Sequence, residues 1–357
     1  MNKMATVIIS TKVKKKKIYS QHRVASWICF LPDWFISCVI SSVITPVKKM
    51  LIDTDAGADD AVAIIMATES ENLNEGPEIV GITCVNGNAD VDMIALNVLK
   101  TLKTVNRLDI PVYKGASHPL LLPDQNKRYF GHDGFGEFYY PDPPSTDLIN
   151  QKDAVSAMIE LVKQHPGEVT ILALGPLTNI ALAIRIYPEF LEKLQQLIVM
   201  GGSTEGRGSA QPGIEFNFAA DPAANFIVFN SSTSRPTTLI SRETARRAGV
   251  PTSFRKSLSN SNNTKIWLID SAMASTTKPN ATYSYWPDAV AAAVALTSGS
   301  IVTESEAYYS DAIYEGTKTA GMIVVDYTNI TKNAANTNVI QNVNATVYLQ
   351  LLSRYFL

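Results

Sequence analysis

Four carboxylates stand within eight residues of one another: Asp53, Asp55, Asp59 and Asp60. Like charges this close repel strongly in a low dielectric unless a cation or shared protons offset them. The chemistry this suggests is a hard cation held by oxygen ligands. Local structure explains part of the cluster, because Asp59 and Asp60 fall in the first turn of a helical pattern, where the macrodipole favours anions. That leaves Asp53 and Asp55 to be accounted for. An apolar run over 50–53, a turn at Gly57 and helical apolar spacing over 58–68 place the acids on a strand, a turn and a helix start.

Further polar groups recur downstream. Asn86, Gly87 and Asn88 follow a second apolar run, where Asn-Gly reads as a turn pair. Pro176, Thr178 and Asn179 follow another run and read as helix initiation. Met200, Gly201, Gly202 and Ser203 end a further run. Glu215 and Asn217 alternate with Phe216 and Phe218, which would turn both polar side chains one way, as sugar hydroxyls require. Asp221 before Pro222 is an N-cap followed by proline at the first helical position. Asp288 follows Tyr285, Trp286 and Pro287 at a helix start, so it also reads as an N-cap or first-turn acid. Glycines flank Phe130 and His132 on a long loop, and the histidine has the unperturbed pKa of a proton donor near neutrality.

These residues need elements to bring them together. The periodicity predicts strands at 50–53, 79–85, 110–113, 169–174, 197–200 and 237–240, and helices at 58–68, 91–105, 154–163, 177–186 and 222–230. The alternation predicts an α/β fold: an open, mostly parallel sheet with helices on both faces. Ligands of such sheets bind outside the carboxyl ends of the strands, which is where the polar groups above fall. Stretches 113–144 and 257–285 read as long loops. Residues 1–47 form an extension with a basic cluster at 12–17 and an apolar run at 24–44. It reads equally as a signal peptide, a membrane anchor or a dispensable segment, interrupted by Pro32 and Asp33, and localisation stays open with it. The domain is expected at 48–335, with 336–357 a tail or helix. Net charge is -2 over 357 residues, which gives no electrostatic footprint for nucleic acid. Cys29, Cys38 and Cys84 have no disulfide or metal-binding spacing.

The segment 53–61 resembles the signature of the inosine-uridine-type nucleoside hydrolases, Asp-x-Asp-Pro-Gly-x-Asp-Asp-Ala, with Ala56 in place of the proline. The segments around Asn88, Thr178, Glu215 and Asp288 follow in the family's order, so the resemblance covers residues 48 to about 330. It implies calcium-dependent cleavage of a nucleoside N-glycosidic bond. By resemblance Asp55, Asp60, the Thr178 carbonyl and Asp288 bind Ca2+, Asp55 is the general base, and Asn88 contacts the nucleophilic water. Asp59, Met200, Glu215, Asn217 and Asp288 are placed at the ribose. Ser209 stands where the family has an asparagine for the 5′-hydroxyl, and Phe130 where it has a substrate-contacting histidine; by their own chemistry Phe130, Tyr129, Tyr285 and Trp286 are expected to stack on the base. Pro287 replaces the histidine or tryptophan that the family has just before this aspartate. The partner implied is a small-molecule nucleoside, and the assembly a homodimer or homotetramer.

Two other readings compete with that one. A homologue could bind nucleosides without turning them over, given Ser209, Pro287 and Phe130. A haloacid-dehalogenase-like phosphatase also begins with Asp-x-Asp after a strand, but it needs Thr or Val where Gly57 stands.

Overall fold

The computed structural model describes residues 47–121, 128–231, 234–259, 263–278 and 280–357. The basic and apolar stretches of the N-terminal extension therefore lie outside the described residues. Among those described, no helix is long and apolar enough to cross a membrane.

Seven parallel strands form most of one sheet: β1 (Lys49–Thr54), β2 (Glu78–Cys84), β3 (Val112–Lys114), β4 (Ile149–Asn150), β5 (Val169–Ala173), β6 (Gln196–Met200) and β7 (Thr237–Ile240). Their order is β7-β6-β5-β1-β2-β3-β4, extended beyond β7 by Thr337–Val343 and then the antiparallel Val302–Tyr308. The chain runs outward from β1 to β4, then returns to the other side of β1 with β5. The switch point between β1 and β5 is where such a sheet opens a crevice at its carboxyl edge.

The helices are α1 (Ala58–Asn72), α2 (Val91–Thr104), α3 (Ala154–Gln164), α4 (Thr178–Ile186), α5 (Phe190–Lys193), α6 (Phe216–Ala220), α7 (Pro222–Phe229), α8 (Arg242–Arg247), α9 (Thr252–Ser259), α10 (Thr264–Ala272), α11 (Pro287–Leu296) and α12 (Ala345–Phe356). Successive side chains of a strand point to opposite faces, and β1 shows it. Met50 and Ile52 join a core with α1, α2, α11 and α12, whereas Leu51 joins one with α3, α4, α5 and α7. Both faces of the sheet are thus covered, which explains why its strands read as nearly continuous apolar runs.

Three expectations fail. The stretch 257–285 holds α10 rather than a continuous loop: Asn263 caps the helix through Lys265 N, and Ile266, Leu268, Ile269 and Ala272 are buried. Asn263 has the composition of a loop residue because it is the cap. Residues 215–218 are not an alternating extended segment. Glu215 is the N-cap of α6, so the two phenylalanines lie on a helix instead. Finally, the sheet does not end at 335, because Thr337–Val343 pairs with β7 inside it and α12 packs on α1.

Asn179 ties the switch point together. Its Nδ2 donates to Asp53 Oδ1 (2.9 Å) and to the Cys84 carbonyl (3.0 Å), and its Oδ1 accepts from Ala116 N (2.9 Å). Losing these buried partners strands polar groups from β1, β2 and the loop after β3. Asn179→Ala is expected to destabilise by about 2–4 kcal/mol, measured as a lower urea midpoint with unchanged slope.

Candidate functional site

β1 ends at Thr54 and delivers Asp55 to the carboxyl edge of the sheet, where it is buried. Its Oδ2 accepts from Asn88 N (2.8 Å), just beyond β2, and Asn88 Nδ2 donates to the Asp55 carbonyl (3.3 Å). The chain then turns at Gly57 into α1. Asp60 closes the first turn, accepting from Gly57 N (2.9 Å) and from the Thr54 hydroxyl. From far along the chain, Pro287 starts α11 at its first position and Asp288 follows in the first turn. Because α11 packs on α1, Asp288 meets the first turn of α1: ligand oxygens of Asp59, Asp60 and Asp288 lie within 4.8 Å of one another. The grouped acids therefore include Asp59, with Asp55 adjacent.

The electrostatics arise from burial and crowding. Burial first, then the charge of Asp59, raises Asp60 to about 7. Burial raises Asp59 to about 6, against a hydrogen bond from Asp288. Asp55 is pushed up by burial and then by the charges of Asp60 and Asp59, and Asp288 by burial and then by Asp60, Asp59 and Asp55. Four buried acids crowded together, with only oxygen donors, fit a hard divalent cation, whose charge offsets the repulsion felt by Asp55, Asp60 and Asp288.

Asp53 is a different kind of acid. It is not among the grouped acids, accepting instead from Thr83 Oγ1 (2.7 Å) and Asn179, while its Oδ2 is buried without a hydrogen-bond partner. Burial lifts it to about 7.

The remaining wall is built at the carboxyl ends of β5 and β6. Thr178 begins α4, and its hydroxyl donates to Asp221 Oδ2 (2.7 Å), whose other oxygen caps α7 through Ala224 N. Glu215 accepts from Gly202 N (3.0 Å), Asn217 N (3.0 Å) and Phe218 N (3.2 Å), and burial raises it to about 7. Asn217 Nδ2 donates to the Leu174 carbonyl (2.6 Å) and the Met200 carbonyl (3.3 Å), clasping the ends of β5 and β6. Ser209 is exposed, and its hydroxyl accepts from Phe216 N (3.1 Å).

The aromatic residues separate. Phe130 is buried against the signature turn, so close that a Cβ on Gly57 would lie 2.9 Å from its ring. Tyr129 stacks edge-on against it. Trp286 is buried in the core beside α9 and α10, bordering a cavity with Leu258, Ile266, Ile269 and Phe356. An indole next to apolar helices gains more from full burial than from an exposed rim. His132 is exposed, its ring 3.5 Å from the Arg128 guanidinium.

The sequence reading overlooked Asn97. Buried on α2, it donates to the Asp133 carbonyl (2.7 Å) and the Ala56 carbonyl (3.2 Å), fastening the Phe130 loop to the acidic turn. Its only signal is a polar residue at a buried helical position.

A family model described as inosine-uridine preferring nucleoside hydrolase matches residues 50–350. A pyrimidine-specific ribonucleoside hydrolase of Klebsiella pneumoniae is 31% identical over 315 residues, 85% of this chain and 97% of the relative. A probable uridine nucleosidase of Oryza sativa subsp. japonica is 39% identical over 186 residues, 52% of this chain and 54% of the relative. The chain thus spans about half the length of that relative. Among solved structures, an inosine-guanosine nucleoside hydrolase superposes with a TM-score of 0.79 at 29% identity, covering 87% of this chain and 98% of its own. A purine-preferring ribonucleoside hydrolase from Gardnerella vaginalis gives 0.76 at 26%, covering 87% and 98%.

The raised acids make stability depend on pH with a defined sign. Asp53, Asp59, Asp60 and Glu215 titrate higher when folded than when unfolded, so protonation favours the fold. That contribution is complete below about pH 4 and is lost as pH rises through the folded values of about 6 to 7. Chelator-treated protein should lose several degrees of melting temperature between about pH 5 and pH 8, and millimolar Ca2+ should restore more at pH 8 than at pH 5. Melting curves that are flat with pH and indifferent to the ion would refute the shared-charge account.

Proposed function

The chain belongs to the inosine-uridine preferring nucleoside hydrolase family, and we propose that it hydrolyses the N-glycosidic bond of ribonucleosides, releasing base and ribose, with Ca2+ at the acidic group. The observation that carries this reading is the meeting of Asp288 with Asp59 and Asp60 across more than two hundred residues of chain. Acids from separate elements converging on one point make a site rather than a run of caps.

Asp55, Asp60, Asp288 and the Thr178 carbonyl would hold the ion, with Asp59 beside them. When bound, it supplies charge neutralisation and a modest acidification of water, far weaker than zinc gives. A general base is still needed. Asp55 takes that part: its Oδ2 is oriented by Asn88 N, leaving the carboxylate set to accept a proton from water. Cleavage develops positive charge on the sugar, which the surrounding carboxylates stabilise. Asp59 is the least buried acid of the three grouped residues and takes a ribose hydroxyl. Glu215 and Asn217 shape the opposite side of the sugar, next to Met200, and Phe130 walls the base.

Asp55→Ala is expected to abolish release of reducing sugar from uridine, cytidine and inosine, a loss of about 10³-fold or more, and chelation should do the same reversibly. Nucleosides that bind but are not cleaved by the unaltered protein would instead identify a binding homologue. Gly87→Ala tests the placement of the base, because the new Cβ would fall 2.1 Å from Asp55 Oδ2. With Asp55 displaced, kcat should drop by about 10²-fold while the far-ultraviolet circular dichroism is unchanged.

A further inference from the structure

The stretch that carries Phe130 closes mainly on itself. Asp133 Oδ1 accepts from Phe135 N (2.7 Å) and Glu137 N (3.0 Å), and the Phe130 carbonyl accepts from Gly136 N (2.6 Å). Gly131 N and Gly134 N donate to the Arg128 and Gly131 carbonyls, and His132 N donates to Glu137. Among the described residues, the one hydrogen bond that leaves 128–137 for the rest of the fold runs from Asn97 Nδ2 to the Asp133 carbonyl (2.7 Å). Because Asp133 and Phe130 belong to one closed turn, holding the first holds the second.

Asn97 is placed for that task. It is 1% exposed on α2, so a donor it failed to pair would stay unpaired at full cost. Its Nδ2 also donates to the Ala56 carbonyl (3.2 Å), giving the two N–H bonds of the amide one carbonyl each. The Lys100 ammonium stands 3.5 Å from Asn97 Oδ1, which fixes which side of the amide accepts. Apolar burial adds a second anchor. Phe135 is fully buried, and a Cβ on Gly136 would fall 2.5 Å from the Ala272 carbonyl of α10. Burial of that kind is non-directional, whereas the amide bonds fix a distance and a direction.

The two ends of this bridge differ in what else holds them. The acidic turn has its own fastenings: Ala56 N donates to Thr54 Oγ1 (3.1 Å), Gly57 N to Asp60 (2.9 Å) and Asn88 N to Asp55 (2.8 Å). Loss of Asn97 therefore frees the loop and leaves the acids where they are. The Phe130 ring stands against that turn, since a Cβ on Gly57 would lie 2.9 Å from the ring and 2.7 Å from Asn88 Nδ2. We propose that Asn97 is a positioning residue for the base: by bridging Asp133 to Ala56 it sets how far Phe130 stands from Gly57 and Asn88, and so the width of the slot that receives a planar ring. This rests on the hydrolase reading and assigns that site its base-side spacer, acting through Phe130.

The test measures kcat and KM for uridine and inosine in Ca2+-loaded full-length protein, with ribose as an inhibitor that carries no base. Asn97→Ala should raise both KM values about tenfold while kcat stays within about threefold, the signature of lost binding rather than lost chemistry. Asn97→Asp keeps the shape and the acceptor beside Lys100 but loses both donations, and should do the same. The inhibition constant of ribose, and the Ca2+ affinity measured by calorimetry, should not move. Because Asn97 acts through Phe130, Asn97→Ala should add nothing to the KM of Phe130→Ala. KM values that stay unchanged, a ribose constant that rises with them, or losses that add in the double variant overturn the proposal and leave the hydrolase reading intact. If neither nucleoside is cleaved, the hydrolase reading fails, and calorimetry of uridine decides the proposal. Binding that weakens in Asn97→Ala, but not when that change is added to Phe130→Ala, supports it, and unchanged or undetectable binding removes it.

Discussion

The structure is arranged around the confinement of like charge at one buried point. Ligand oxygens of three carboxylates lie within 4.8 Å of one another, and a pair of unit charges at that separation repels by about 3–4 kcal/mol at an effective dielectric of 20. No domain stable by some 5–15 kcal/mol sustains several such pairs fully charged. Protons or a divalent ion must be shared among them. The surrounding structure favours that sharing: α1 presents its N-terminal dipole to Asp59 and Asp60, and Gly57 N, Asn88 N and the Thr54 hydroxyl donate to the acids.

The topology decides which parts of the chain can reach that point. A strand order that reverses between β1 and β5 leaves their carboxyl ends without a crossing connection between them. Asp55 and Asn88 arrive from one side, and Thr178, Met200 and Asn217 from the other. α11 then crosses α1 to add Asp288. The polar side chains that hold these ends in register, Asn97, Asn179 and Asn217, each bridge two or more segments, Asn97 and Asn217 through backbone carbonyls and Asn179 through the Asp53 carboxylate and the Cys84 carbonyl. They act as rivets between strand ends whose apolar bodies alone would leave the edge loose.

Much of this was legible in the sequence. The strand–turn–helix around Asp53 to Asp60 and most strands and helices through Phe229 have the predicted type within a few residues, because buried parallel strands and amphipathic helices write distinct periods. Where the reading failed, a second signal had the same appearance. Glu215 and Asn217 alternate with phenylalanines whether the segment is extended or, as here, a capped short helix. Asn263 looks like loop composition because a cap is a loop residue by chemistry. The grouping of Asp288 with Asp59 was legible only through the family resemblance, since no local pattern reports which distant helices cross.

The glycines at the edge show how a local reading can identify a residue and still miss its reason. Asn86-Gly87 reads as a turn that needs glycine for positive φ. Yet Gly57, Gly87 and Gly175 are all absent from the positive-φ residues, and the N-cap Gly57 has an extended backbone that any residue could adopt. What they share is space. A Cβ at 87 would fall 2.1 Å from Asp55 Oδ2, one at 175 would fall 2.9 Å from Asp55 Oδ1, and one at 57 would press on both Asn88 and Phe130. Asp55 is therefore fixed from two sides by backbone with no side chain, besides its bond from Asn88 N. That is an economical way to hold a carboxylate in one position, because backbone has fewer alternative rotamers than any side chain that could replace it. Turn residues and close-approach residues are the same letter in a sequence, and only the neighbours in space distinguish them.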